Sequence, residues 1–211
     1  MALQLGDEAP DFIAESTKGE IHFYEWKGDS WALLFSHPGD FTPVCTTELA
    51  AAAALKPEFD KRNTKLIATS VDSLDTHYRW LSDIKDVSGT EVDFPIIEDP
   101  NRWVASLYGM IHPKASGRET ARSAFIVGPD NKVELMLVYP PSTGRNFREL
   151  LRVIDSLQLA AQHGVSTPAD WQDGQDVIIP IEVSDEQAWT RFPKGFAAKK
   201  PYLRMTRQPE R

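Results

Sequence analysis

The apolar residues of this chain fall into two kinds of run. "WALLFS" (Trp31–Ser36) and "KLIATSV" (Lys65–Val71) are nearly continuous apolar stretches, the pattern of strands buried on both faces. "IHFYEW" (Ile21–Trp26) and "FPIIED" (Phe94–Asp99) are shorter and predict two further strands. Between these runs helical spacing takes over. Leu49–Phe59 is alanine-rich with Pro57 near its end, Leu74–Ile84 places Leu74, Tyr78, Leu81 and Ile84 on one face, and Arg102–Met110 predicts a short helix. From Ser123 to Tyr139 two apolar runs flank Gly128-Pro129-Asp130-Asn131, which predicts a β-hairpin with turn residues at its tip. Asn146–Gln162 is the clearest amphipathic helix, its stripe running through Phe147, Leu150, Leu151, Ile154 and Leu157 to Leu159 or Ala161.

Strand–helix–strand units followed by a hairpin and a helix predict an α/β domain, taken as residues 1–165. After Gly164 the composition shifts. Ser166–Arg211 is rich in turn residues and late prolines, with too few apolar residues for a core of its own. It is expected to be a carboxy-terminal extension packed on a neighbour.

Composition narrows the class. With 211 residues, 41% hydrophobic and 26% charged, the chain reads as globular and large enough for a sizeable core. No stretch approaches the roughly 20 apolar residues that span a bilayer. The start, "MALQLGDEAPDF", lacks the basic and apolar regions of a secretory leader, so the cytoplasm is the expected compartment. A net charge of −8 argues against general nucleic-acid binding. That charge is uneven: Arg191–Arg211 holds seven Lys or Arg and one acid, Glu210, so the preceding 190 residues carry −14. Such a basic tail either docks on an acidic surface, its own or a partner's, or lies solvated.

There is one cysteine, which excludes an internal disulfide and a cysteine-rich zinc site. A core cysteine, a reactive thiol and a bridge to another molecule remain. Cys45 lies in "HPGDFTPVCTTE" (His37–Glu48), where a strand gives way to a helix. If Thr42 is the N-cap and Pro43 the first helical residue, Cys45 falls in the first turn. Free backbone N–H groups and the positive end of the helix dipole then point at its sulfur and favour a thiolate, the nucleophilic form. A core cysteine needs none of this. The Thr42 hydroxyl can donate to the sulfur or to a bound oxygen, or accept from a bound O–H. Pro38 is placed to shield a pocket from water. Glu48, one turn on, opposes a thiolate, so a cation should offset it. Arg122 at the start of the "SAFIVG" strand and Arg145 at the start of the long helix are candidates, and the sequence alone places neither beside Cys45.

These residues also carry a resemblance. "PGDFTPVCTTE" resembles the active-site stretch of peroxiredoxins, whose pattern of Pro, three residues, Thr, two residues, Cys is matched by Pro38, Thr42 and Cys45. "ARSAFIVGPDNKVELMLVYPPSTGRNFRELLRVIDSLQL" looks like the family's second active-site region, and "TPADWQDG" and "FPKGF" resemble the extension of its one-cysteine subgroup. The resemblance implies a thioredoxin-like α/β fold, with residues 166–211 as a dimerisation extension. It implies a peroxidase acting on hydrogen peroxide and organic hydroperoxides. Cys45 would become sulfenic acid. Arg122 and Thr42 would hold the peroxide oxygens. Glu48 and Arg145 would brace the network, with His37 beside the pocket in a supporting or merely packed role. No metal or organic cofactor is implied, and the expected assembly is a homodimer or a larger ring. Because no second cysteine exists, an external thiol or other reductant must restore Cys45.

Two other readings compete. Oxidised Cys45 could serve a peroxide sensor or a chaperone-type oligomer. "GDSWA" (Gly28–Ala32) resembles a phospholipase motif of some one-cysteine members, with Ser30, His22 and Asp130 as the matching residues. Ala32 departs from G-x-S-x-G, and Ser30 precedes a strand where a nucleophile elbow needs a strand-to-helix turn.

Overall fold

The continuous apolar runs form the middle of a sheet. In the computed structural model, which describes residues 3–111, 117 and 119–210, the chain divides into two units, Met1–Phe147 and Arg148–Arg211. The first unit opens with a small antiparallel pair, β1 (Ile13–Ala14) and β2 (Ile21–His22), and a one-turn helix, α1 (Phe23–Lys27). Then come β3 (Trp31–Ser36), α2 (Pro43–Asp60), β4 (Thr64–Ser70), α3 (Leu74–Ser88), β5 (Ile96–Glu98), α4 (Trp103–Leu107) and the hairpin β6 (Arg122–Val127) and β7 (Val133–Tyr139). Five strands pair in the order β5-β4-β3-β6-β7. The β3, β4 and β5 strands are parallel, as their helical crossovers require, and β6 and β7 run antiparallel. Every residue of β3 is buried, which explains its unbroken apolar run.

Two expectations for this unit are corrected. Ile21–Trp26 is not one strand: only Ile21 and His22 pair, and Phe23 begins α1. Phe23 stacks on Phe12 at 4.8 Å and on Trp26, three residues on, at 6.3 Å. Aromatic packing at helical spacing wins over alternation here. The buried face of α3 is His77, Trp80 and Ile84, and Tyr78 is 52% exposed. Polar bonds set this rotation, since the His77 ring reaches Asp40 and the Trp80 indole N–H donates to Thr46 Oγ1 at 3.2 Å.

The second unit contains α5 (Phe147–His163) from its second residue onward, β8 (Val177–Ile179), α6 (Asp185–Arg191), β9 (Phe196–Lys200) and β10 (Leu203–Thr206). In α5, Leu150, Leu151, Ile154 and Leu159 are buried and Ala161 is exposed, so the stripe ends through Leu159. Leu159 belongs to this unit's own core with Val165, Trp171, Val177, Ile179 and Phe192. Ser166–Arg211 does not make this core alone, since Leu159 of α5 and Val165 are part of it. Its sparse apolar residues converge from separate short elements on the fully buried Trp171. The basic tail is a β-hairpin, with β10 pairing both β8 and β9. No described helix is long and apolar enough to cross a membrane.

Candidate active site

The site is built where β3 ends. Six residues, His37 to Thr42, turn the chain into α2, with Phe41 in the left-handed region at φ 53°. Thr42 is the extended N-cap and Pro43 opens the helix, as the sequence predicts. Cys45 is the third helical residue and is fully buried. The Thr42 hydroxyl does not donate to the sulfur. It donates to the Gly39 carbonyl at 2.9 Å, which leaves its oxygen lone pairs as acceptors.

Strand pairing brings in the two arginines. β6 lies antiparallel to β3, so its first residue, Arg122, returns to the end where Cys45 sits. Arg122 Nη1 donates to Cys45 Sγ at 3.3 Å and to Glu48 Oε2 at 2.7 Å. Its Nε and Nη2 both donate to the Pro141 carbonyl, at 3.0 and 2.8 Å, which fixes the guanidinium plane. Arg145 donates from its backbone N and Nε to Glu48 Oε1 at 2.7 and 2.8 Å, and from Nη2 to Oε2 at 2.7 Å. Its Nη1 donates to the Ser123 carbonyl at 2.7 Å. The Arg145 guanidinium also lies over the Phe35 ring at 5.1 Å.

Burial alone would push the Glu48 carboxyl up, but the bonds and charge of Arg145, with the charge of Arg122, hold it below its ordinary value. Glu48 is thus a carboxylate shared between two cations. The guanidiniums exceed it by one positive charge, which a thiolate at Cys45 would cancel. That excess sits 3.3 Å from the sulfur. Beside it lies a pocket of about 280 Å³, lined by Pro38, Thr42, Pro43, Arg122, Glu119 and Pro141 among others. It is large enough for a small peroxide, and its wall combines proline rings with the Arg122 donor.

His37 is fully buried, packs against Trp80 with ring centroids 5.1 Å apart and bonds through Nε2 to Asp40 Oδ1 at 2.9 Å. Burial pushes its pKa below the ordinary value, against the pull of Asp40. The sequence reading missed Asp40, His77, Glu119 and the carbonyls of Pro141 and Ser123. Only Asp40 left a signal, its spacing three residues after His37. Among the described residues, His37, Asp40 and Asp72 have metal-like spacing, yet their atoms bond one another: Asp40 N donates to Asp72 Oδ2 at 3.0 Å, and Ser70 Oγ donates there at 2.9 Å.

The phospholipase residues are not brought together by any described hydrogen bond. Ser30 Oγ bonds Asn63 Oδ1 at 3.0 Å, His22 Nε2 bonds Glu20 Oε1 at 3.0 Å, and Asp130 Oδ1 accepts from Lys132 N at 3.2 Å. Ser30 stands just before β3, in a loop whose carbonyls bind the buried ammonium of Lys27. It is not on an elbow.

Residues 5–136 match the AhpC/TSA family, and residues 156–195 match the C-terminal domain of 1-Cys peroxiredoxin. A 1-Cys peroxiredoxin of Dictyostelium discoideum is 51% identical over 209 residues, covering 99% of this chain and 87% of that protein. The crystal structure of a mutant peroxiredoxin 6 of Arenicola marina superposes with a TM-score of 0.94 at 47% identity, covering 100% of both chains. The yeast mitochondrial 1-Cys peroxiredoxin, solved to explain thiol resolving via glutathione/thioredoxin systems, gives 0.91 at 48% identity over 97% of this chain and 99% of that one. The thioredoxin-like fold implied by the active-site stretch is therefore the fold observed.

Proposed function

The chain belongs to the AhpC/TSA family, in its one-cysteine peroxiredoxin branch, and from that premise we propose a residue-level mechanism for its thiol-dependent peroxidase activity. The Cys45 thiolate attacks one oxygen of the peroxide. An S–O bond forms, the O–O bond breaks, and the leaving oxygen takes a proton to depart as water or an alcohol. Cys45 is left as sulfenic acid. One external thiol then condenses with it to a mixed disulfide and releases water, and a second thiol frees Cys45 and leaves as the oxidised disulfide.

The observation that carries this reading is the 3.3 Å bond from Arg122 Nη1 to Cys45 Sγ, made while Arg122 is anchored on Glu48 and the Pro141 carbonyl. A donor held so close to the sulfur meets the peroxide oxygens as they line up. It stabilises the charge that develops on the leaving oxygen. Thr42, with its own proton engaged, orients the peroxide by accepting its O–H. Pro38 walls the pocket from water. Glu48 and Arg145 hold Arg122 in place and do not touch the substrate, and His37 supports the loop from behind.

Every residue of this site precedes residue 146, which supports assigning the chemistry to residues 1–165 and dimerisation to 166–211. A homodimer, or a ring built from it, is also supported by the edge strand β7, which residues 6–8 cover only at its Val133 end and where Val138 is 62% exposed. A sedimentation mass near 23.7 kDa at micromolar concentration would contradict it. A thiol that depends on external thiols suits a reducing compartment, so we place the protein in the cytoplasm, with glutathione or a thioredoxin-like protein as reductant. Steady-state turnover tests the reading. With excess hydrogen peroxide and added thiol, wild type should consume many equivalents. Saturation after one equivalent would favour a peroxide sensor.

A further inference from the structure

The active-site loop carries a second buried polar group that the peroxidase mechanism does not use. Asp40 accepts on Oδ1 from His37 Nε2 at 2.9 Å and on Oδ2 from His77 Nδ1 at 2.6 Å. All three side chains are at most 1% exposed. His77 Nε2 lies 3.2 Å from the Ile97 carbonyl. A carbonyl only accepts, so this nitrogen carries a proton. The 2.6 Å contact needs another proton, on His77 Nδ1 or on Asp40, and the His37 contact needs a third. In each contact the imidazole is the stronger base, with an ordinary pKa of about 6.5 against about 3.9 for an aspartic acid, so the proton sits on the ring nitrogen and Asp40 is the acceptor in both. With its proton on Nε2, a neutral His37 has a bare lone pair at Nδ1, and Nδ1 is buried with no partner among the described residues.

We infer that His77 and Asp40 form a buried imidazolium–carboxylate pair that locks His37 as the Nε2–H imidazole and thereby positions the loop carrying Pro38 and Thr42. The pair is self-neutralising, so it adds no net charge behind the helix that bears Cys45. It ties that loop to α3 through His77, and to the end of β4 through the Asp40 N–H on Asp72. Trp80 completes the link, since it packs near His37 and donates to Thr46, the neighbour of Cys45. Asp40 and His77 are positioning residues that act through the loop. Their effect on rate rests on the peroxidase reading; the proton positions do not.

The test is nitrogen-15 NMR of the histidine side chains in the reduced, full-length protein at neutral pH. The expected result is two protonated nitrogens on His77 and, on His37, a protonated Nε2 beside a bare Nδ1. A bare nitrogen on His77, or a bare Nε2 on His37, overturns the proposal without reference to catalysis. Asp40→Asn supplies the kinetic arm. An amide donates from one atom and accepts on the other, so it can serve both histidines only if one changes its protonation. The variant should lose on the order of tenfold to a hundredfold in peroxide rate, with unchanged alkylation of Cys45 by iodoacetamide. Equal losses in both rates, or none in the peroxide rate, overturn the positioning role. A wild type with no fast peroxide reaction would instead sink the peroxidase reading and leave the NMR result standing.

Discussion

Replacing Glu48 by glutamine removes one charge and keeps the shape of the side chain. In the native site four N–H donors converge on its two oxygens, two on each. Glutamine offers an oxygen to one pair only, and its amide group meets the other pair donor against donor. Arg122 and Arg145, with side chains 3% and 1% exposed, are then left without their carboxylate. Removing one partner of a buried ion pair costs about 3–5 kcal/mol, a large part of a typical stability of about 5–15 kcal/mol. For a chain of this size that corresponds to a fall in Tm of roughly 6–20 °C. Urea unfolding followed by tryptophan fluorescence, on Glu48→Gln and wild type, measures it. The pH dependence has a definite sign. The folded-state carboxyl titrates below its ordinary value, because the bonds of Arg145 and the charge of both arginines outweigh burial. Its stabilisation is complete above the unfolded value of about 4.3 and is lost as pH falls through the lower folded value. The gap between wild type and variant should therefore close in acid. A gap below about 1 kcal/mol at neutral pH, an ordinary effect for a point mutation, would refute the reasoning, as would one that widens on acidification.

Arg122→Lys should keep the fold but lower the rate with hydrogen peroxide by about 10²–10³, the usual loss for one transition-state donor, because an ammonium cannot span the sulfur, Glu48 and the Pro141 carbonyl together; an undiminished stopped-flow rate would remove Arg122 from the reaction. Thr42→Val should slow the peroxide reaction on the order of tenfold or more and cost about 1 kcal/mol for the lost bond to Gly39, while Thr42→Ser restores most of the rate; equal rates for Val and Ser would show that the hydroxyl is idle. Ser30→Ala should change stability by no more than about 0.5 kcal/mol and leave the peroxide rate and any phospholipid hydrolysis untouched; hydrolysis abolished by this substitution would revive the phospholipase reading.

The helix entry at Cys45 was legible because local chemistry sets it: Thr42 and Pro43 stop the loop and start the helix whatever the rest of the fold does. The central strands were legible because burial on both faces leaves no polar positions to blur the run. Arg122 and Arg145 could be named but not placed, since 77 and 97 residues separate them from their partners Cys45 and Glu48; the β3–β6 pairing closes the first distance, and the return of β7 along β6 closes the second. The Pro141 and Ser123 carbonyls leave no trace, because a backbone acceptor has the same sequence signature everywhere. The face of α3 was misread because His77 and Trp80 are buried for their hydrogen bonds, which an apolar periodicity does not register. The core of the second unit was missed for a related reason: Trp171, Val177, Ile179 and Phe192 come from separate short elements and form no periodic run.

The central claim is that Cys45 reacts with peroxide because its pocket activates both partners. Stopped-flow mixing of the reduced protein with hydrogen peroxide, followed through its six tryptophans in wild type and Cys45→Ser, tests this most directly. A fast phase whose rate rises with peroxide concentration, and which is absent in Cys45→Ser, is the expected result. A wild-type rate no faster than that of an ordinary free thiol would contradict it and return Cys45 to a structural or sensing role.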